Sequence, residues 1–188
     1  MPRPRLRHGL HIPLLLELGW SVTGVDISAD QLCVARTRVN GGAELIHADA
    51  TALPFPDGSF DAALSAFTHT DVEDFGALLA EAIRVLRPAA SFVYLGPHPC
   101  FVGSHSRFVR AEGLPTLLPG YTRSGRYTDA PGISPDGIRA RVGAVHLPLG
   151  RFLQSFLDAG LTLERLEEAH PQAEGREYPR WLALRARR

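Results

Sequence analysis

Ser21-Val22-Thr23-Gly24-Val25-Asp26-Ile27-Ser28 leads through a helical pattern to Leu45-Ile46-His47-Ala48-Asp49-Ala50. Leu53-Pro54-Phe55-Pro56-Asp57-Gly58-Ser59-Phe60-Asp61 follows, with an apolar run to Ser65. Two short apolar segments each run into an aspartate. Ser28 precedes Gln31 by three residues, the capping-box pattern that opens a helix, and Leu32, Ala35 and Val39 recur at helical spacing up to Asn40-Gly41-Gly42. The pattern predicts strands over 22–25 and 45–47 with a helix between them. Units of this kind build parallel sheets, and ligands of open α/β sheets sit outside the carboxyl ends of the strands. Asp26 and Asp49 would then face one crevice. A carboxylate at Asp26 suits two vicinal hydroxyls, because charge-assisted hydrogen bonds are strong and directional. Asp49 suits an exocyclic amine. Each aspartate also has a local reading, as a helix cap for Asp26 or as a turn residue for Asp49. Ser28 already fits the cap.

The alternation continues down the chain. Residues 60–66 read as a strand. Thr70 and Glu73 repeat the capping-box pattern before Phe75, Leu78, Leu79, Ala82, Ile83 and Leu86, the clearest helical face in the sequence, with Pro88 as its expected stop. Residues 91–96 read as the next strand. The regular pattern lapses from Pro97 to Val145, where a long connection of this kind is usually functional. Leu149, Phe152, Leu153, Phe156 and Leu157 then mark a helix before Gly160, and 161–166 and 181–185 read as two closing strands. Near the start, 11–18 reads as a helix ending at Gly19.

These motifs resemble the class I S-adenosylmethionine-dependent methyltransferases, in particular the type 11 small-molecule branch. The resemblance covers nearly the whole chain from Gly9 onward. It is carried by Asp26, by Asp49-Ala50, by the string from Leu53 to Asp61 and by Arg84-Val85-Leu86-Arg87-Pro88. It implies an α/β, Rossmann-like three-layer sandwich with a mostly parallel sheet and a C-terminal antiparallel hairpin. It implies S-adenosyl-L-methionine as cofactor, with Asp26 on the ribose and Asp49-Ala50 at the adenine. Gly9, Ile27, Ala66 and Phe67 complete the cofactor contacts that it implies. The expected activity is methyl transfer to an O, N or C nucleophile of a small molecule. His69 follows the strand over 60–66, where methyl transfer would take place, and can be a base or a substrate contact. A solvated loop histidine is the competing reading.

The resemblance also predicts an earlier strand and a glycine-rich loop, whose backbone must pass close to the cofactor. Gly9-Leu10-His11-Ile12 looks like the tail of that loop, with Arg5 and Arg7 at the preceding glycine positions. The first strand is therefore expected to be missing, and the sequence reads as truncated at its N-terminus. A false start, with weak cofactor binding by the chain as given, is one expectation. A methyltransferase-like binding domain that has lost the loop is the alternative. A nicotinamide-dependent oxidoreductase fails on the absent Gly-x-Gly-x-x-Gly and leaves Asp49-Ala50 without a role.

Composition sets the remaining bounds. The 188 residues, 45% hydrophobic and 21% charged, fit one soluble domain (1–188), with 1–8 irregular and 97–145 a lid or substrate segment. The formal net charge of zero gives no reason to expect nucleic acid or an anionic membrane as partner. Cys33 and Cys100 have no metal or redox spacing; Cys33 reads as a buried thiol, and a reducing cytoplasm is the expected setting. The basic start and short apolar run lack a cleavage site for a signal peptide, and no run is long enough to span a membrane. His8 and His11, three apart, have no third ligand nearby, so no metal is expected. His47 reads as packed in its strand, and Asp57 and Asp61 as turn residues. His98, Cys100, Phe101, His105, Arg107, Phe108, Tyr121, Arg123 and Tyr127 populate the irregular segment, as a lid over an acceptor or as ordinary packing. Sequence leaves the acceptor and the oligomeric state open.

Overall fold

The computed structural model describes residues 11–107, 116–130, 138–169 and 178–188. The expectations for Arg5, Arg7, Gly9 and Phe108 lie outside these residues. The chain divides into two compact units, Met1–Phe55 and Pro56–Arg188.

The first unit contains α1 (His11–Glu17), β1 (Thr23–Asp26), α2 (Ala29–Val39) and β2 (Glu44–His47). β1 and β2 pair in parallel, with Asp26 opposite His47. The Ser28 side chain accepts the Gln31 amide at 3.3 Å and so caps α2. Asn40, with φ 44°, ends the helix in the left-handed region. Leu32, Ala35 and Val39 are buried, as their spacing predicts. Cys33, expected inside, is exposed, because it points away from that buried stripe.

The second unit is built on a mixed sheet. β3 (Phe60–Ala66) pairs in parallel with β4 (Leu86–Pro97), and β10 (Trp181–Arg187) lies antiparallel between β4 and β9 (Thr162–Ala169). The C-terminal hairpin is thus present, as expected. α3 (Phe75–Val85) packs on β4 and on α5 (Leu149–Asp158). Phe92 and Tyr94 on β4 share a face with Leu184 and Ala186 on β10, and all four are buried. Phe75, Phe152 and Phe156 cover that face; Phe75 and Phe152 stack at 5.4 Å and Tyr94 lies 4.8 Å from Phe152. Burying each such ring contributes about 1.5–3 kcal/mol. The edge strand β9 is largely exposed and charged, with Glu164 bonded to Arg185 at 3.0 Å and Arg187 at 2.5 Å. Charges of this kind protect an edge from pairing with other chains.

Two expected boundaries move. The Thr70–Glu73 box does not start α3. Asp74 caps it instead, accepting the Ala77 amide at 2.8 Å, while Glu73 is held by Arg126 at 2.7 Å. Pro88 is not the stop either, since the helix ends at Val85 and Pro88 lies inside β4. The two signature strings meet here. Arg84 bonds Asp57 at 2.8 Å, its carbonyl accepts the Gly58 amide at 3.0 Å, and Arg87 pairs with Asp61. Asp57 is a turn residue, as read, whereas Asp61, read the same way, lies inside β3.

The described residues of 98–146 include β5 (Ser106–Arg107), β6 (Thr116–Leu117), β7 (Gly125–Tyr127), α4 (Ile138–Val142) and β8 (Ala144–His146). β5 pairs with β6 and β7 with β8, both antiparallel. Among the described residues no strand joins β1 to β3, where the first strand of the expected sheet would lie.

Candidate functional site

In the first unit the candidate residues gather where β1 and β2 end. One carboxylate oxygen of Asp26 accepts the Ser28 amide at 2.8 Å, a bond that turns the chain into α2. Asp26 is not the cap of α2, which is Ser28, but this local bond occupies one of its oxygens; no further hydrogen bond to the other is found among the described residues. Ile27, next in sequence, is 67% exposed, an apolar side chain left in solvent beside a carboxylate. His47 is exposed rather than packed, because it ends β2, and its Nε2 bonds the Ile27 carbonyl at 2.8 Å, anchoring that turn.

Asp49 lies two residues past β2. One of its oxygens accepts both the amide of Thr51, at 2.9 Å, and its hydroxyl, at 2.8 Å. These bonds, the amide first, hold the exposed carboxyl below the usual carboxylate range, so it stays ionised at neutral pH. Ala50 is half-buried beside it. The set fits the adenosine end of the implied cofactor. It offers a carboxyl group with an uncommitted oxygen for vicinal hydroxyls, an exposed aliphatic side chain for a flat ring, and a second carboxylate for an amine. Sequence reasoning missed Ser28 and Thr51 as the groups that orient the two carboxylates. Both are hydroxyl residues two positions after an aspartate, the Asx-turn signature that would have found them.

In the second unit the turn after β3 is built differently. Ala66 ends β3, and Phe67 takes φ 58°, a left-handed conformation rare for an aromatic residue. Its amide donates to the Leu95 carbonyl at 2.6 Å and its ring meets Trp181 edge-on at 6.1 Å. Strain of this order is kept only where neighbours over-determine the turn. Arg139 supplies one such constraint, pairing with Asp71 and donating to the Thr70 hydroxyl at 3.3 Å; the Thr70 carbonyl accepts the Val145 amide at 2.8 Å.

His69 is not a solvated loop histidine. It is 2% exposed, its Nδ1 bonds the Tyr94 hydroxyl, and Phe152, Tyr94 and Phe75 surround its ring at 5.2, 5.5 and 6.2 Å. Burial pushes the Tyr94 hydroxyl far above its ordinary range, so it keeps its proton and can donate to His69. Enclosed in this way, His69 packs as a polar member of the core. Gly96 makes room for the pair: a β-carbon there would overlap the Tyr94 hydroxyl and lie 2.6 Å from its ring carbon Cζ.

The segment after β4 adds three buried histidines, His98, His105 and His146. Nε2 of His98 bonds Glu168 at 2.6 Å and its Nδ1 accepts the Cys100 amide at 3.1 Å. Burial lowers the pKa of His146 below the ordinary imidazole value; the hydrogen bond to the Tyr121 carbonyl opposes this and His105 adds to it. His146 was not among the sequence candidates, because it lies on β8, outside the irregular run.

Residues 7–94 match the family profile described as Methyltransferase domain. Over these residues the chain is similar to the class I S-adenosylmethionine-dependent methyltransferases of the type 11 kind. Over 78 residues it is 40% identical to a fatty-acid O-methyltransferase of Mycolicibacterium smegmatis, covering 41% of this chain and 28% of that protein. Over 80 residues it is 41% identical to a demethylmenaquinone methyltransferase of Thermus thermophilus, covering 41% of this chain and 36% of that protein. The crystal structure of an S-adenosylmethionine-dependent methyltransferase from Mesorhizobium loti matches with a TM-score of 0.77 at 27% identity, over 96% of this chain and 87% of that one. The match thus spans about a third of the length of these two curated relatives. Among the described residues, no helix is long and apolar enough to cross a membrane.

Proposed function

We propose that the protein binds S-adenosyl-L-methionine at the carboxyl ends of β1 and β2 and takes part in methyl transfer to a small-molecule O, N or C nucleophile. The observation that carries this reading is the Asp26 carboxylate. One oxygen is spent on the turn into α2, and the other is left at a strand end beside an exposed isoleucine. In this reading the second oxygen accepts from the two ribose hydroxyls. Ile27 and Ala50 cover the faces of the adenine, and Asp49 accepts from its exocyclic amine. When bound, the cofactor supplies a methyl group already activated on a sulfonium sulfur. Positioning can then provide much of the rate, so the reading needs no base at His69. Within the second unit, the turn of Ala66 and Phe67 at the end of β3 is held rigid by Arg139, Trp181 and Leu95.

The two curated relatives act, by name, on a fatty acid and on demethylmenaquinone, so long-chain acids and quinols are the first acceptor classes to try. The test incubates the purified chain with methyl-labelled cofactor and each acceptor class and follows label into organic extract. Transfer that falls in an Asp26→Asn variant supports the reading. No transfer to any acceptor, together with no binding of the cofactor, overturns it.

A further inference from the structure

Gly103 is buried in the second unit beside two buried histidines, His105 at 1% exposure and His146 at 3%. A β-carbon on Gly103 would sit 2.8 Å from His105 Cε1, 2.9 Å from its Nδ1 and 2.8 Å from His146 Nδ1, so both nitrogens border the bare face of this glycine. The imidazole rings lie 4.8 Å apart, centroid to centroid. The other nitrogen of each ring is committed. Nε2 of His105 bonds the Cys100 carbonyl at 2.9 Å, and Nε2 of His146 bonds the Tyr121 carbonyl at 2.7 Å. A carbonyl oxygen can only accept, so each Nε2 carries a hydrogen, which leaves Nδ1 as the ring nitrogen open to a ligand.

Nδ1 of His105 is buried and has no hydrogen-bond partner. An orphaned buried acceptor costs about 1–3 kcal/mol, and His146 Nδ1 borders the same glycine. Electron-poor matter belongs there. Histidines that ligate metals have this arrangement, in which the non-ligating N–H donates to a backbone carbonyl and fixes both tautomer and ring orientation. Two independent backbone anchors for two converging nitrogens are more than packing alone requires.

We propose that Nδ1 of His105 and Nδ1 of His146 bind one divalent transition-metal ion of the cobalt, zinc and copper series. No group of three or more His, Cys, Asp or Glu side chains suited to a metal occurs among the described residues. The two imidazoles are therefore the protein's share of the coordination, and exogenous donors such as water take the remaining positions. Nitrogen ligands suit these ions, and affinity should rise from cobalt to zinc and copper. β8 hydrogen-bonds to the turn after β3 through Val145 and Thr70. The ion would thus brace the 98–146 segment against that turn.

The proposal is independent of cofactor binding. The test adds Co2+ to the purified full chain, without cofactor, at neutral pH. One equivalent should bind with visible d–d absorption, and Zn2+ should displace it. His105→Ala and His146→Ala should each weaken binding by at least about tenfold, the scale on which metal sites respond to lesser, second-sphere losses. His98→Gln, at a buried histidine outside the pair, should leave it intact. Because a buried alanine variant can fail to fold, histidine 15N NMR of the unmutated chain gives a second readout. Both rings should start as the Nε2–H tautomer, and Zn2+ should move both Nδ1 resonances. Absence of metal binding, which leaves a trapped water as the occupant, overturns the proposal. So does binding undiminished in both folded alanine variants, or Nδ1 resonances that Zn2+ leaves unmoved.

Discussion

The turns after β1 and after β3 both follow the carboxyl end of a parallel strand, each within its own unit, and they are built differently. After β1, Asp26 spends one oxygen on its own backbone, and Ile27 stays in solvent. After β3, Phe67 is strained, Arg139 clamps the loop, and His69 turns inward among aromatic rings. A polar residue at a strand end is thus no indicator of a ligand site by itself. Its neighbours decide. Ser28 and Thr51 are small and satisfy part of a carboxylate while leaving the rest outward. Tyr94, Phe75 and Phe152 are large and enclose an imidazole completely.

If this contrast holds, mutations after β3 should cost stability and mutations after β1 should cost binding. The largest effect is expected for Phe152→Ala. Its ring is fully buried against Phe75, Tyr94, Phe156 and His69, and truncation should cost about 3–5 kcal/mol by denaturant unfolding. Gly96→Ala should cost about 1–3 kcal/mol, because its methyl overlaps the Tyr94 hydroxyl. His69→Phe should cost about 1–3 kcal/mol, by leaving that hydroxyl buried without its imidazole partner. A His69→Phe protein of unchanged stability would break the comparison. So would one that folds normally and loses only activity.

The smallest effect concerns acid. The folded-state pKa of Asp49 is lowered by the Thr51 bonds, so its contribution is present above the ordinary carboxylate value and is lost as pH falls through the lower folded value. Amide exchange at Thr51 should therefore be unchanged at neutral pH and rise only in strong acid. In Asp49→Ala it should be raised at all pH values.

Much of this was legible in the sequence, for a physical reason. The strands and helices of 21–66 announce themselves through local signals: the Ser28 cap, the Asn40-Gly41 stop, and the buried stripe at Leu32, Ala35 and Val39. The two signature strings were also legible, and the structure explains them as one joint, since Arg84 holds the turn at Asp57 and Arg87 holds Asp61 at the start of β3. What failed depended on contacts far apart in sequence. His69 reads as a loop residue until Tyr94 and Phe152 close over it. Thr70 and Glu73 read as a capping box until Arg139 and Arg126 claim them, leaving Asp74 as the cap. His105 and His146 share no local pattern, and only the packing around Gly103 brings them together.

The central claim is that the outward oxygen of Asp26 belongs to a ribose. Asp26→Asn tests it most directly, because the amide oxygen can still accept from Ser28 and keep the turn. The measurement is a titration of 15N-labelled chain with S-adenosylhomocysteine, followed at the backbone amides, which reads weak and strong binding alike. The account predicts shifts centred on Ile27, Ser28, Ala50 and Thr51. It also predicts that Asp26→Asn weakens affinity about ten- to a hundredfold, the equivalent of about 1.5–3 kcal/mol for a lost charge-assisted hydrogen bond, at unchanged thermal stability. Shifts elsewhere, or equal affinity in the two proteins, would contradict it.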